Sequence, residues 1–207
     1  MIVTEGGGGG GVQTVLGPHV GLLVVDMQVD FGLPSGSLYV DGAEQILSPV
    51  NALIGEVLAA GGRVVYTQDS HPSQTPHFVT QGGPWPPHGV QGTAGAELLP
   101  GLRVDGPVLA KGTDGGDGYS GFSVRDPLTG QTSPTVLEAR LRGHGITHLI
   151  VVGLAGDYCV GETALDGARL RFVTEMPLPL TRFVGLQPGD DGAMIARAEA
   201  AGVLVSS

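Results

Sequence analysis

The feature that most constrains the fold is a set of short apolar runs that lead into polar residues. Val20–Val25 reads VGLLVV and is followed by Asp26. The same arrangement recurs where Arg63–Gln68 is followed by Asp69, and His148–Val152 forms a further apolar run. Continuous apolar runs of this length are typical of strands that are buried on both faces of a sheet. They therefore predict a sheet that is covered by helices on both sides.

Helical segments are predicted between these strands. Ser48-Pro49 is a typical helix start before a segment that ends near Ala60, and Ser133-Pro134 repeats the pattern before a helix to about Arg142. Further helices are expected over residues 159–170 and 191–200, and further strands over 107–110, 172–175 and 203–205. Strands that alternate with helices predict a three-layer α/β/α domain with a mainly parallel, roughly six-stranded sheet.

Composition limits the domain organisation and the partners. The 207 residues predict one domain over 20–207, preceded by a flexible glycine-rich leader over 1–19. No stretch approaches the roughly 20 apolar residues of a membrane span. A net charge of −10 argues against nucleic acid and an anionic membrane as partners. The single cysteine allows no intramolecular disulfide, which fits a cytoplasmic protein.

Several polar residues should meet at one edge of the predicted sheet. Asp26, Asp69, Lys111 and the turn over 153–159 all lie at or just beyond strand ends. In parallel sheets the ligand site lies beyond the carboxyl ends of the strands. These residues are therefore expected to share one site, although they lie far apart in the sequence.

Cys159 and Lys111 are the only cysteine and the only lysine of the chain. A thiol at a helix N-terminus beside an ammonium group can have a lowered pKa and react as a thiolate. Asp26 could then carry protons between the thiol and a leaving group. From the residues alone, Cys159 could also be an inert buried thiol and Asp26 a helix cap. The shared edge of the sheet favours a catalytic cysteine.

A second group of residues has the composition of a metal site. Three of the six histidines, His71, His77 and His88, fall in one short window that begins just after Asp69. Imidazole nitrogens with a carboxylate suit zinc, iron or manganese. Surface histidines are the alternative, but their clustering beside a strand end favours metal binding.

Read together, the segments VVDMQVDF, QDSHP, PHF, WPPH, KG, YSGF and GLAGDYCV resemble the isochorismatase-like cysteine hydrolase superfamily, and within it the nicotinamidase family. The resemblance covers about residues 20–207. It implies a metal-containing amidohydrolase that converts nicotinamide to nicotinate and ammonia through a thioester, in NAD salvage. One divalent ion is implied, with zinc or iron ahead of manganese.

The resemblance also assigns roles to individual residues. Those matching the catalytic triad are Asp26, Lys111 and Cys159. The backbone N–H groups that match an oxyanion hole belong to Ala155 and Cys159, and the Leu154–Ala155 peptide bond is expected to be cis. The residues matching metal ligands are Asp69, His71 and His88, with His77 as a ligand in some members. The residues matching the wall of the pyridine pocket are Phe31, Trp85 and Tyr119.

The chain departs from the family pattern at three places, one of which is the stretch between Lys111 and Tyr119, which is rich in glycine and acidic through Asp114 and Asp117. Gly156 stands where threonine is usual in G-x-A-T-D-x-C, and Gly89 follows WPPH where many members have cysteine. No matched catalytic or metal position is lost.

Other functions remain open at this point. A metal-free relative acting on an N-carbamoyl compound would use the same Asp26, Lys111 and Cys159. A hydrolase with a metal-bound water as nucleophile and a non-catalytic binding protein are further alternatives. The sequence does not distinguish a monomer from a homo-oligomer.

Overall fold

The computed structural model describes residues 14–207, so the glycine run of the predicted leader lies outside the described residues. Within this range the strands are β1 (Val20–Val25), β2 (Arg63–Asp69), β3 (Val108–Lys111), β4 (Ser123–Arg125), β5 (Thr132–Pro134), β6 (His148–Leu154), β7 (Val173–Pro177), β8 (Thr181–Arg182) and β9 (Leu204–Ser206). The α-helices are α1 (Val29–Gly32), α2 (Leu47–Ala59), α3 (Leu137–Gly143), α4 (Gly161–Arg169) and α5 (Asp190–Ala200).

Seven of these strands form one sheet in the order β3-β2-β1-β6-β7-β9, with β8 pairing with β6. Every pairing within this sheet is parallel. The predicted α/β fold is confirmed, with one strand more than expected because the two-residue β8 is too short to form a sequence pattern. Strands β4 and β5 form a separate antiparallel pair.

Alternate side chains of the central strand face two different layers of helices. Leu22 and Val24 of β1 pack with the buried face of α2, which includes Ile54. Leu23 and Val25 belong to the core on the other face, which α3, α4 and α5 cover. All four of these β1 side chains are fully buried, which explains why this strand reads as an unbroken apolar run.

Both Ser-Pro helix starts were predicted wrongly. Helix α2 begins at Leu47, directly after a 3-10 turn over Ala43–Ile46, so Ser48 lies inside its first turn. Ser133 lies in β5 opposite Val124, and α3 begins only at Leu137.

Thr135 supplies the hydroxyl that was expected from Ser133. Its Oγ1 accepts a hydrogen bond of 3.2 Å from the Leu137 backbone N–H and donates one of 2.7 Å to the Gly121 carbonyl. The hydroxyl that bonds to the start of α3 therefore comes two residues later than the sequence pattern predicted, because Ser133 and Pro134 belong to a β-hairpin.

The long segment between β2 and β3 is irregular, as predicted, but it is organised around the carboxyl ends of the strands. It contains 3-10 turns at Val79–Gln81 and Ala94–Ala96. Isolated bridges join His71 to Val90 and Phe78 to Trp85, so the segment folds back on itself. Along the described residues, no helix combines the length and the apolar character needed to cross a bilayer.

Candidate active site

The carboxyl ends of four neighbouring strands bring the predicted catalytic residues together. Lys111, the last residue of β3, is the register partner of Asp69 on β2. Its ammonium nitrogen lies 2.7 Å from Asp26 Oδ2 and 3.4 Å from Cys159 Sγ, and it also donates a hydrogen bond to Asp69 Oδ1. All four side chains are buried, with at most 8% of any residue exposed.

Asp26 has an unusual backbone conformation at the end of β1. Its φ angle is +46°, which is rare for a residue with a side chain and tends to occur at functional sites. Thr67 of the neighbouring strand holds it there: the Thr67 hydroxyl donates to Asp26 Oδ1 at 2.6 Å, and the Asp26 backbone N–H donates to the Thr67 carbonyl at 3.2 Å. One carboxylate oxygen is thus fixed by Thr67, and the other faces Lys111.

Cys159 lies in the first turns of a helical segment that begins earlier than predicted. A π-helical turn over Gly156–Val160 runs directly into α4, and the Val160 N–H donates to the Ala155 carbonyl at 3.0 Å. The wide turn was not visible in the sequence pattern, which placed the helix start at Cys159. The Leu154–Ala155 peptide bond is cis, which confirms that expectation.

The charges around Cys159 do not produce the lowered thiol pKa expected from the sequence. Burial raises the pKa of Cys159 well above its ordinary value, and the Asp26 and Asp69 carboxylates raise it further, while Lys111 opposes them. Burial also raises the pKa of Asp26, again against the influence of Lys111. Burial and the two acidic neighbours therefore favour the protonated thiol, which lies beside a carboxyl group with which it can exchange a proton.

Lys111 remains a cation in this site. Burial alone would lower its pKa, but the Asp26 and Asp69 carboxylates outweigh burial and raise the Lys111 pKa well above the usual value. A proton can consequently pass between Cys159 and Asp26 without changing the net charge of the group.

The three clustered histidines meet beside these residues. One ring nitrogen from each of His71, His77 and His88 lies within 4.8 Å of the other two, and all three residues are buried. Among residues 14–207, neither ring nitrogen of His71 has a hydrogen-bond partner. Unpaired buried imidazole nitrogens are costly, whereas a metal ion would satisfy them. The donor set therefore fits a divalent ion.

The hydrogen bonding of His88 also suits a ligand. Its Nδ1 lies 2.7 Å from the Pro86 carbonyl oxygen, which leaves Nε2 free to bind. Burial lowers the pKa of His88 to about 4, so the imidazole is neutral near pH 7, as metal binding requires.

Asp69 connects the histidine cluster with the lysine. While Oδ1 accepts from Lys111, Oδ2 lies 3.8 Å from His71 Nε2 and 3.7 Å from His88 Nε2. Burial acts to raise the pKa of Asp69, but Lys111 and the histidines together hold it below its usual range. The carboxylate is therefore charged and available to both groups.

Two residues with contacts in the site were missed as site residues in the sequence. Gln28 is fully buried; its Nε2 donates to the carbonyls of Asp69 and Ala96 at 2.8 Å, and its Oε1 accepts from the Asp69 N–H at 2.7 Å. Asp117 Oδ1 lies 2.8 Å from His77 Nδ1. Gln28 belongs to the DMQ motif and could have been found there, whereas Asp117 lies in a glycine-rich loop without a distinctive pattern.

A cavity opens onto both groups, with Asp26, Cys159, His77 and His88 among its lining residues. The predicted pocket residues Phe31, Trp85 and Tyr119 all line it. Trp85 Nε1 donates to the Tyr119 hydroxyl at 3.0 Å. The lining residues that the sequence did not indicate are Leu38, Val40, Leu154, Tyr158 and Val184.

The family model of the isochorismatase domain matches residues 20–172, which is most of the chain. The chain belongs to the isochorismatase family. Among curated relatives, the nicotinamidase of Escherichia coli is 34% identical over 203 residues, covering 89% of this chain and 93% of the relative. The resemblance inferred from the motifs is thereby confirmed.

Solved structures of this family have the same fold. The pyrazinamidase of Pyrococcus horikoshii in complex with zinc has a TM-score of 0.81 and 33% identity, covering 92% of this chain and 99% of that one. PnC1 from L. infantum in complex with nicotinate has a TM-score of 0.82 and 37% identity, covering 93% and 94%.

Proposed function

We propose that this isochorismatase-family protein hydrolyses nicotinamide to nicotinate and ammonia. The observation that carries the proposal is that one cavity is lined both by Asp26 and Cys159 and by two histidines of the candidate metal cluster, His77 and His88. Asp26 and Cys159 can cleave an amide, and the histidines with their metal ion can recognise a ring nitrogen. The E. coli nicotinamidase and the nicotinate complex of the L. infantum protein support this substrate.

In the proposed acylation step, Cys159 Sγ attacks the amide carbon while Asp26 accepts the thiol proton. The backbone N–H groups of Ala155 and Cys159 would stabilise the tetrahedral oxyanion. Asp26 then gives the proton to the amide nitrogen, the C–N bond breaks, and ammonia leaves behind a thioester. Lys111 remains a cation beside Asp26 and Asp69 throughout.

The second half of the reaction reverses these proton movements. Asp26 takes a proton from water, whose oxygen attacks the thioester carbon, and the C–S bond breaks to release nicotinic acid, which gives its remaining proton to solvent and becomes nicotinate. The proton returns to Cys159, so the thiol and carboxylate recover their starting states. The net charge of Asp26, Lys111 and Cys159 together changes at most by the one proton that is being transferred.

Asp69, His71, His77 and His88 are the residues that would hold a divalent ion. Such an ion supplies a Lewis acid for the ring nitrogen of the substrate, and zinc or iron fits three imidazoles with a carboxylate better than magnesium or calcium does. Phe31, Trp85 and Tyr119 would enclose the pyridine ring. The zinc complex of the P. horikoshii protein supports this assignment.

We further propose that residues 20–207 form one hydrolase domain that acts in NAD salvage. A reducing compartment such as the cytoplasm suits an enzyme that depends on one free thiol.

Ammonia release from nicotinamide by the purified protein, before and after chelation, tests the proposal. Nicotinamide should be hydrolysed by the metal-loaded protein, and chelation should raise its KM. Benzamide, which has no ring nitrogen, is the matched control and should be a poor substrate under both conditions. No ammonia from nicotinamide with folded, metal-loaded protein would reject the proposal, and release from an N-carbamoyl amino acid instead would favour the metal-free alternative.

A further inference from the structure

We propose that Phe183 is a positioning residue that joins the turn before the nucleophile to the wall of the substrate cavity, and that Gly156 is a glycine because this ring occupies its side-chain space. The inference rests on the proposed function for its kinetic consequence. The contact itself can be tested without any substrate.

Gly156 needs to be small because of its neighbour. A Cβ atom on Gly156 would lie 2.5 Å from Cε1 and 2.6 Å from Cζ of the Phe183 ring, which is closer than carbon atoms approach. The φ angle of Gly156 is not in the left-handed region, so its backbone would accept another residue. Space, and not conformation, therefore requires glycine at the position where the family pattern usually has threonine.

A second contact attaches the same segment to the nucleophile turn. Asp157 Oδ1 accepts from the Val184 N–H at 2.9 Å, and Oδ2 accepts from the Gly185 N–H at 2.8 Å. Just before Phe183, β8 pairs with the end of β6, where Arg182 lies opposite Leu154. The segment over 181–185 is thus held along the strand and turn that lead to Cys159.

This segment also reaches the substrate cavity. Val184 lines the cavity, whereas Phe183 is not among its lining residues. Phe183 therefore affects the cavity indirectly: its ring packs on Gly156, and this contact holds the adjacent Val184 against the cavity. A displaced ring should move an apolar wall of the pocket more than it moves the reacting atoms, so KM should respond more than kcat.

A double-mutant cycle with Gly156→Ala and Phe183→Ala tests this coupling. Gly156→Ala should raise the KM for nicotinamide by about threefold or more, in line with coupling between contacting residues, with kcat little changed. Phe183→Ala should also raise KM. Adding Gly156→Ala to Phe183→Ala should cost nothing further, because the ring that the new methyl group would meet is gone.

Matched controls come from the same chain. Gly192 lies in α5, and a Cβ atom there would meet nothing within 4 Å, so Gly192→Ala should leave KM unchanged. Leu186 is an exposed apolar residue close to Phe183 in sequence, and Leu186→Ala should also be neutral. Independent effects of Gly156→Ala and Phe183→Ala that multiply in the double variant would overturn the proposal.

Denaturant unfolding of the wild type, Gly156→Ala, Phe183→Ala and the double variant gives a readout that does not need activity. Gly156→Ala should lower the midpoint in the wild-type background and leave it unchanged or raised in the Phe183→Ala background. If Gly156→Ala alone fails to fold, recovery of folding in the double variant supports the contact. Additive shifts, or no recovery, would refute it even if nicotinamide proved not to be the substrate, so the two failures are distinguishable.

Discussion

Replacing Lys111 with methionine should destabilise the fold as well as abolish activity. Methionine has a similar size and fits a buried site, so packing is largely retained while the charge is lost. Asp26 and Asp69, which are 1% and 5% exposed, would then face each other without a cation. Many substitutions at active sites stabilise proteins, because such sites are often strained. The contacts of Lys111 predict the opposite outcome.

The size of the effect follows from the burial of the ion pairs. Removing one partner of a buried pair costs about 3–5 kcal/mol, and Lys111 serves two carboxylates. Total stability is typically about 5–15 kcal/mol, so a large share of it would be lost. For a chain of this length, each kcal/mol lowers Tm by about 2–4 °C, which gives a decrease of roughly 6–20 °C.

Urea unfolding measures this loss of stability. The protein is chelated first, because a bound ion would neutralise Asp69 and so hide the effect of removing the lysine. Circular dichroism follows the fold, and Trp85, the single tryptophan, reports on the site. Lys111→Met combined with Asp26→Asn should recover part of the stability, since only one carboxylate then lacks a cation. If Lys111→Met unfolds within about 1 kcal/mol of the wild type, well below the cost of a broken buried pair, then the proposed ion-pair network is wrong.

Three further variants test other parts of the site. Cys159→Ala should abolish ammonia release and keep the metal content measured by elemental analysis; residual turnover near the wild-type rate would exclude Cys159 as the nucleophile. Gln28→Leu leaves the backbone N–H and carbonyl of Asp69 without their Gln28 partner, whereas the Ala96 carbonyl still accepts from Gln68. At about 1–3 kcal/mol for each unpaired group, this variant should lower the free energy of unfolding measured in urea by at least about 2 kcal/mol; a loss under about 1 kcal/mol would show that water replaces the amide. Asp117→Asn should weaken zinc binding by about tenfold or more, as for other carboxylates that orient a histidine ligand. Competition with a chromogenic chelator measures the affinity, and an unchanged value would mean that the contact of Asp117 with His77 is incidental.

The sequence predicted the parts of the molecule in which local pattern and tertiary role coincide. A strand buried on both faces, such as β1, has to be continuously apolar, and its end marks where Asp26 enters the site. The helix starts failed because a Ser-Pro pair suits several local conformations. At Ser133 the pairing of β5 with β4 decides between them, and that pairing depends on residues elsewhere in the chain.

Contacts between distant segments were beyond the reach of a single sequence. The position of Asp117 beside His77 depends on how a glycine-rich loop folds over the cavity. Phe183 fills the space above Gly156, yet neither residue alone indicates the other. The thiol pKa was misjudged for a related reason, because the helix start and Lys111 were considered while burial and the nearby carboxylates were not.

The pairing of β1 with β6 has a consequence for how the protein folds. Val20 lies beside His148, so Asp26 and Cys159 meet only after the chain between them has been brought back to the centre of the sheet. Closing so long a loop is slow compared with local contacts. Until that moment the thiol lacks its buried surroundings and is open to solvent, where a thiol reacts more readily. The rate at which Cys159 becomes protected from alkylation during refolding therefore reports when the central sheet is complete. A nascent chain is most vulnerable to oxidation of this thiol before that step.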